Sequence, residues 1–465
     1  MGTFLVRGGR KIEGEFAVRG SKNAALPILA ACLLAEDEVV LENIPLIRDV
    51  LQTLDILREL GCKVSLSEET RTVAIDSRRL TGTEIGNETV RKMRSSILFL
   101  GALLGREKRA KLAYPGGCAI GKRPIDLHLS AFKKMGIKIE EEDCVLNCKA
   151  DHILGYHIYL DFPSVGATEN ILLLAAKAEG VTVIYNAARE PEIVALVRFL
   201  RACGAEIYGE GTGSIMVEGV KKLHGAYYSI PADRIEGGTF LCAAAMTGGE
   251  LLLKGLEREQ MGATLEALRH TGCRFLWEDS DILWMRPPKR LLSDFTIVTG
   301  PFPAFPTDMQ PLMMSLLTLA KGNCMISETV FEARFSQGKE LCRMGADIRV
   351  SGRNASVFGV EKLHGAEVFA KDLRCGAALI VAALAAEGES RVHGSAYVER
   401  GYEKLEDAFS FLGGDIRLTQ SIELERKNYV WEKEETNEKE TGNDRHRPDG
   451  GTGILPESAC KKERH

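Results

Sequence analysis

A repeat constrains this chain more than any other feature. The end of an amphipathic helix, a glycine and a strand recur as ILRELGCKV (Ile56–Val64), AFKKMGIKI (Ala131–Ile139) and FLRACGAEI (Phe199–Ile207). They recur again as ALRHTGCRF (Ala267–Phe275), ELCRMGADI (Glu340–Ile348) and AFSFLGGDI (Ala408–Ile416). The glycines Gly61, Gly136, Gly204, Gly272, Gly345 and Gly413 stand 68 to 75 residues apart, a period of about 70 residues. Each falls where a helix end favours a left-handed residue. A second marker keeps step: a small-residue helix, a turn and an apolar strand, at Leu172–Ile184, Ala243–Leu253 and Ala383–Val392. VEGVKKLHGA (Val217–Ala226) returns two units later as VFGVEKLHGA (Val357–Ala366). The unit therefore reads strand, helix, strand, helix, strand, too long for a common solenoid. Six copies divide most simply into two α/β domains of three. Helices such as Ile171–Ala178 and Ala377–Ala386 are apolar on every side and are predicted to be buried all round. The sheets should then face solvent on one side, with a ligand cleft between the domains.

The length of 465 residues suits two or three domains at about 150 residues each. A net charge of −5 gives no reason to expect nucleic acid or an anionic membrane as partner. Met1–Gly20 carries charges throughout and has no signal-peptide core, and apolar runs such as Cys375–Ala386 are too short to span a bilayer. The 12 cysteines are scattered singly, unlike a secreted disulfide framework, so a reducing cytoplasm is expected. Cys144 and Cys148 have no second pair at zinc-site spacing, so no metal is expected. Residues 421–465 are charge-rich without apolar periodicity and are expected to form a disordered tail.

The stretch with the most chemistry is Tyr114–Leu129, YPGGCAIGKRPIDLHL. Pro115, Gly116 and Gly117 make a mobile turn, with Cys118 at its tip and the cations Lys122 and Arg123 beyond Gly121. Asp126–Met135 reads as a helix, so Arg123 lies near a helix N-terminus, a place suited to anions. Phe4–Val18 alternates around Gly8–Gly9 and reads as a hairpin. Pro27 favours the first turn of a helix, which places a helix start near Ala24 and leaves Lys22 and Asn23 in the preceding loop. Glu88–Leu104 reads as one helix with Arg91, Lys92 and Arg94 at its start, against the dipole, as an anionic ligand nearby would explain. Ser164 opens a helix, either as a phosphate contact or as a plain cap. Ile230–Glu236 falls where the third unit ends and reads as a linker. Thr307 and Asp308 stand at a helix start after three prolines, where Asp308 is either functional or an N-cap. Glu328–Arg334, Lys371–Arg374 and Val398–Tyr402 add acids and arginines at similar points of their units.

Taken together, Gly20–Pro27 (GSKNAALP), Tyr114–His128, Phe305–Gln310 (FPTDMQ), Asp372–Arg374, Asn186–Glu192 and Arg400–Tyr402 resemble the UDP-N-acetylglucosamine 1-carboxyvinyltransferase family of enolpyruvyl transferases. The resemblance runs from about Phe4 to Arg417. It implies an inside-out α/β barrel of two domains, each of three βαβαββ units. Residues 22–231 would form the domain carrying the Cys118 loop, and residues 1–21 plus 232–420 the other.

The resemblance also implies a reaction: transfer of the enolpyruvyl group of phosphoenolpyruvate to the 3′-hydroxyl of UDP-N-acetylglucosamine, with release of phosphate, in peptidoglycan synthesis. Phosphoenolpyruvate would meet Lys22, Asn23, Arg123 and Arg400, with Arg334 and Arg374 nearby. The sugar nucleotide would meet Arg94, Arg123, Pro124, Ile125, Asp126, Leu127, Ser164, Val165, Gly166, Asp308 and Val330. Asp308 matches the base at the 3′-hydroxyl, a task that suits it if the cleft raises its proton affinity. Cys118 matches the proton donor, mostly thiol at pH 7, and either donates a proton or forms an adduct. Asp372 and Asn23 match residues at the reacting centre. No cofactor is implied. An epoxide such as fosfomycin is expected to alkylate Cys118. Phe162 departs from family members that carry Lys there. The alternatives are the shikimate-pathway transferase, which uses Lys-Ser where this chain has Lys22-Asn23, and a catalytically silent sugar-nucleotide sensor.

Overall fold

The computed structural model describes residues 2–86, 90, 93–116 and 124–419. Cys118, Lys122 and Arg123, the start of the Glu88–Leu104 stretch with Arg91 and Lys92, and the expected tail lie outside the described residues.

Among the described residues the repeat folds into six four-stranded sheets of one pattern. In the second, Glu84–Ile85 pairs in parallel with Arg109–Ala113, which pairs antiparallel with Val145–Lys149, which pairs antiparallel with Lys138–Glu142. Helices follow the first and second strands, so each unit is βαβαββ. One face of each sheet is buried, as the alternating pattern of Val145–Lys149 shows.

The first helix of each unit is the buried one. Lys22–Ala31, Leu98–Glu107 and Val165–Ala175 fill one core; Arg234–Thr247, Gln310–Leu317 and Leu373–Ala385 fill a second. Such sequences can pack only where no side meets water. The second helix of each unit is amphipathic and stops at its repeat glycine. All six of these glycines have φ between +94° and +99°, the left-handed region where a side chain is strained.

The first core is built from residues 24–230 and the second from 4–18 and 232–416. Each group of three sheets is completed by a strand from a distant part of the chain. Tyr227–Ser229 returns to pair with Glu38–Glu42 of the first sheet. The predicted Phe4–Val18 hairpin does not form. Gly14–Ala17 pairs with Leu251–Lys254, whereas Thr3–Arg7 inserts between Glu389–His393 and Asp415–Thr419 of the last sheet. Alternation gave both strands one buried face, but their partners are set by the incomplete fourth and sixth units. Gly8 permits the crossing, since a Cβ there would lie 2.0 Å from the Ala386 carbonyl oxygen.

Two helix starts also differ from prediction. Ser21, not a residue near Ala24, caps the first helix, and Pro27 lies inside it. The missing Pro27 amide leaves the Asn23 carbonyl out of the helical ladder, and burial of the surrounding Ala24–Ala31 offsets that loss. In the Glu88–Leu104 stretch Val90 is helical, but Arg94–Ile97 is a 3-10 turn and a separate α-helix begins at Leu98.

Candidate active site

Two short segments join the cores, and they run side by side. Gly20 bridges to Ala232, Ser21 N–H donates to the Pro231 carbonyl at 2.7 Å, and Asp233 N–H to the Arg19 carbonyl at 2.7 Å. Just beyond them the first turn of the Lys22–Ala31 helix presents Lys22 and Asn23. Lys22 Nζ meets Asp49 Oδ2 at 2.7 Å. Asp49 is also gripped from the other half: Arg400 Nε donates to Oδ1 at 2.9 Å and Nη2 to Oδ2 at 3.2 Å. One buried carboxylate thus joins two cations that come from different cores. Burial alone would push Asp49 upward, but Lys22 and Arg400 outweigh it and hold it below the usual carboxylate range. Burial, with Arg374 and Arg400 nearby, lowers the Lys22 pKa despite Asp49.

Asp308 sits in the turn before the Gln310–Leu317 helix. It is not that helix's cap, because Met309 holds the position and no side chain caps it. Its carboxylate instead accepts from Arg334 Nη2 at 2.7 Å and from Arg374 Nη2 at 3.0 Å. The condition that the cleft raise its proton affinity is therefore not met. Burial would raise the pKa, but Arg374 and Arg334, with Arg234 behind them, drive it far below the ordinary value.

Asp372 has a different task. Its Oδ1 accepts the amides of Arg374 at 3.0 Å and Cys375 at 3.1 Å, capping the Leu373–Ala385 helix, while Oδ2 accepts from Ser336 Oγ at 3.0 Å. It fixes the helix turn that carries Arg374. Arg334 Nη1 lies 3.7 Å from its Oδ1.

The remaining expected residues form a second group. Arg94 Nη2 donates to the Pro124 carbonyl at 3.4 Å. Ile125 precedes the Asp126–Lys134 helix, which begins at its predicted start. Ser164 caps the Val165–Ala175 helix through its bond from Ala167 N–H at 3.3 Å. A Cβ on Gly166 would lie 3.4 Å from the His128 ring, so the two helix starts are in contact. His128 is buried, and its ring pKa falls to about 3, so it stays neutral. Val330 is held by its amide, which donates to the buried Glu328 carboxylate at 2.8 Å; the Thr307 hydroxyl donates to the same carboxylate at 2.9 Å.

Sequence reasoning missed Asp49 and Asp233. An acid in the first turn of an amphipathic helix, as at Asp49, looks like a favourable dipole partner, and only the approach of Lys22 and Arg400 gives it another meaning. Asp233 caps the Arg234–Thr247 helix and also accepts the Lys22 backbone N–H at 3.3 Å. Arg234 pairs with the buried Glu192 at 3.2 Å, a further contact between the halves.

Residues 6–409 match the family model described as EPSP synthase (3-phosphoshikimate 1-carboxyvinyltransferase). The chain is 49% identical over 416 residues to the UDP-N-acetylglucosamine 1-carboxyvinyltransferase 2 of Caldanaerobacter subterraneus subsp. tengcongensis, covering 90% of this chain and 99% of that one. It is 47% identical over 417 residues to the UDP-N-acetylglucosamine 1-carboxyvinyltransferase of Nitratidesulfovibrio vulgaris, with the same coverage. Among solved structures, the enolpyruvyl transferase NikO from Streptomyces tendae superposes with a TM-score of 0.82 at 24% identity, covering 90% of this chain and 99% of that one. EPSP synthase from Acinetobacter baumannii superposes with a TM-score of 0.72 at 20% identity, covering 90% and 100%. At those identities the superpositions speak for the fold.

Proposed function

The chain belongs to the EPSP synthase family of carboxyvinyltransferases, and on that premise we propose that it transfers the enolpyruvyl group of phosphoenolpyruvate to the 3′-hydroxyl of UDP-N-acetylglucosamine. The acceptor follows from the named relatives at 47–49% identity, rather than from the shikimate acceptor in the family description. The 3′-oxygen bonds to C2 of the enol while C3 gains a proton. The tetrahedral intermediate then expels phosphate as C3 loses a proton, which restores the double bond.

The observation that carries the site assignment is the pairing of Lys22 and Arg400, from opposite halves, on the single carboxylate of Asp49. A phosphate brings at least as much charge and more acceptor oxygens, so it can take the same two cations in the same place. We assign Lys22 and Arg400 to the phosphate end, with Arg123 and Asn23 beside them. Asp308 is the acceptor of the hydroxyl proton. Since Arg334 and Arg374 keep it ionised, it is always ready to accept but is a weak base, so proton transfer must keep pace with attack at C2. Asp372 acts through the helix start that orients Arg374. Arg94, Pro124–Leu127, Ser164–Gly166 and Val330 form the sugar-nucleotide end. Cys118 is the thiol of the reaction. The halves work as two domains, residues 22–231 against 1–21 plus 232–420, and the enzyme supplies peptidoglycan precursors in the cytoplasm. Among the described residues no helix is long and apolar enough to cross a membrane.

The test is phosphate release. It should need both phosphoenolpyruvate and UDP-N-acetylglucosamine, and 3-phosphoshikimate should not replace the sugar nucleotide. Release with 3-phosphoshikimate, or none with the sugar nucleotide, overturns the assignment. Peptide mapping after fosfomycin treatment should find the added mass on Cys118.

A further inference from the structure

A buried chain of hydrogen bonds lies behind Asp308. Arg374 is 3% exposed and Tyr402 is 2% exposed. Arg374 reaches Asp308 Oδ2 with one terminal nitrogen, Nη2, and Tyr402 Oη with the other, Nη1, at 3.2 Å. Tyr402 Oη lies 2.8 Å from Thr239 Oγ1, and Thr239 Oγ1 lies 2.7 Å from the Ile235 carbonyl.

The direction of each bond follows from the groups involved. A guanidinium has only donors, so Tyr402 must accept from Arg374. The Ile235 carbonyl has only lone pairs, so Thr239 must donate to it. The Tyr402 proton therefore points to Thr239. Burial raises the phenol pKa, which keeps that proton in place. Every hydroxyl proton in the chain has one destination, and the chain ends on the backbone of the Arg234–Thr247 helix.

We propose that Tyr402, braced by Thr239, is a positioning residue for the transfer reaction: it fixes the rotation of the Arg374 guanidinium so that Nη2 meets the Asp308 carboxylate. The inference rests on the reaction proposed above. Arg374 gets little other guidance, because its Nε has no hydrogen-bond partner among the described residues. The ring adds a steric wall, with its centroid 5.6 Å from the Arg374 guanidinium carbon. Tyr402 also belongs to the segment whose Arg400 grips Asp49. The phosphate end and the proton acceptor are thus held by residues two apart in sequence.

The test is Tyr402→Phe, which keeps the ring and removes one oxygen. The groups facing Asp308 are Arg334, Arg374 and Arg234, with Asp372 and Glu328 behind Arg334 and Thr307. Loosening Arg374 removes positive charge from Asp308, so the acid limb of the kcat profile should move to higher pH. kcat should fall by about 10- to 100-fold, the loss expected when a hydrogen bond to a charged group is removed. KM for both substrates should change little. Thr239→Val should act in the same direction, and Thr239→Ser, which keeps the hydroxyl, should restore both kcat and the profile. An unchanged kcat and pH profile in folded Tyr402→Phe overturns the proposal while the wild type turns over normally. If the wild type itself releases no phosphate, the reaction assignment fails instead. A crystal structure of Tyr402→Phe then decides the positioning role: Arg374 turned off Asp308 supports it, and an intact Arg374–Asp308 bond overturns it.

Discussion

Asp308 shows that one residue's chemistry is set by its neighbours. Two guanidinium groups make it a poor base by equilibrium measures, so in the proposed mechanism it takes the hydroxyl proton only as the C–O bond forms. Asp308→Asn keeps the shape and removes the acceptor, so kcat should drop by about 10²- to 10⁴-fold, with the fold retained by circular dichroism. Glu236 illustrates the opposite shift. Burial raises its pKa to about 7 against the pull of Arg19, with Asp233 and Glu403 adding repulsion. A carboxyl whose folded pKa lies above its unfolded one lends stability below the unfolded value, and loses it as pH rises through the folded value. Urea stability should therefore fall by about 3 kcal/mol between about pH 4.5 and pH 7, and Glu236→Gln should flatten that slope. Neither shift was legible beforehand. The sequence marks Asp308 as a carboxylate beside a helix, but Arg334 and Arg374 come from 26 and 66 residues away.

The elements were more legible, because a helix or strand depends mainly on its own period. The buried helices around Ile171–Ala178 and Ala377–Ala386 and the six left-handed glycines could be read directly. How the helices meet depends on contacts such as Asn170, which is fully buried. Its side chain accepts from Gly101 N–H at 2.8 Å and donates to the Ile97 carbonyl at 2.9 Å and to His128 Nδ1 at 2.9 Å. It joins three helices of the first core, and Gly101 lets them approach: a Cβ there would lie 2.3 Å from Asn170 Oδ1. Asn170→Ala should cost about 1–3 kcal/mol, since at least one buried partner loses its bond, read as a lower urea midpoint. The resemblance placed residues 1–21 with the second domain, and the errors lay in the hairpin pairing and in the Pro27 position. The Thr3–Arg7 and Gly14–Ala17 strands take partners hundreds of residues away, and the position of Pro27 inside a helix is tolerated only because the core surrounds it.

At the scale of the molecule, one short segment, residues 399–403, makes several of the contacts between the halves. Glu399 accepts Arg48 N–H through its carbonyl at 3.0 Å, and Arg400 takes Asp49. The Glu403 carboxylate accepts from Arg71 at 2.7 and 2.8 Å and from the Leu46 amide at 3.0 Å, while within its own half its carbonyl accepts from Arg19. A bidentate pair whose carboxylate is buried is stronger than an ordinary surface ion pair. Glu403→Ala leaves Arg71 and the Leu46 amide without this partner, so the halves should separate more readily. Small-angle scattering should show a larger radius of gyration without substrates, and KM for phosphoenolpyruvate should rise by about tenfold. An unchanged radius and KM would mean that the other contacts suffice.

By itself, the sequence determined the repeat, its six glycine-ended helices and the buried character of helices such as Ile171–Ala178 and Ala377–Ala386. These properties are carried by short stretches, through hydrogen-bonding period, side-chain shape and the left-handed preference of glycine. Only the tertiary structure decided which strands complete which sheets, that Asp49 lies between Lys22 and Arg400, and that Asp308 is held ionised rather than neutral. Those outcomes depend on distances between residues far apart in the chain. Electrostatic energy varies with distance and burial, and neither quantity exists until the two halves are packed.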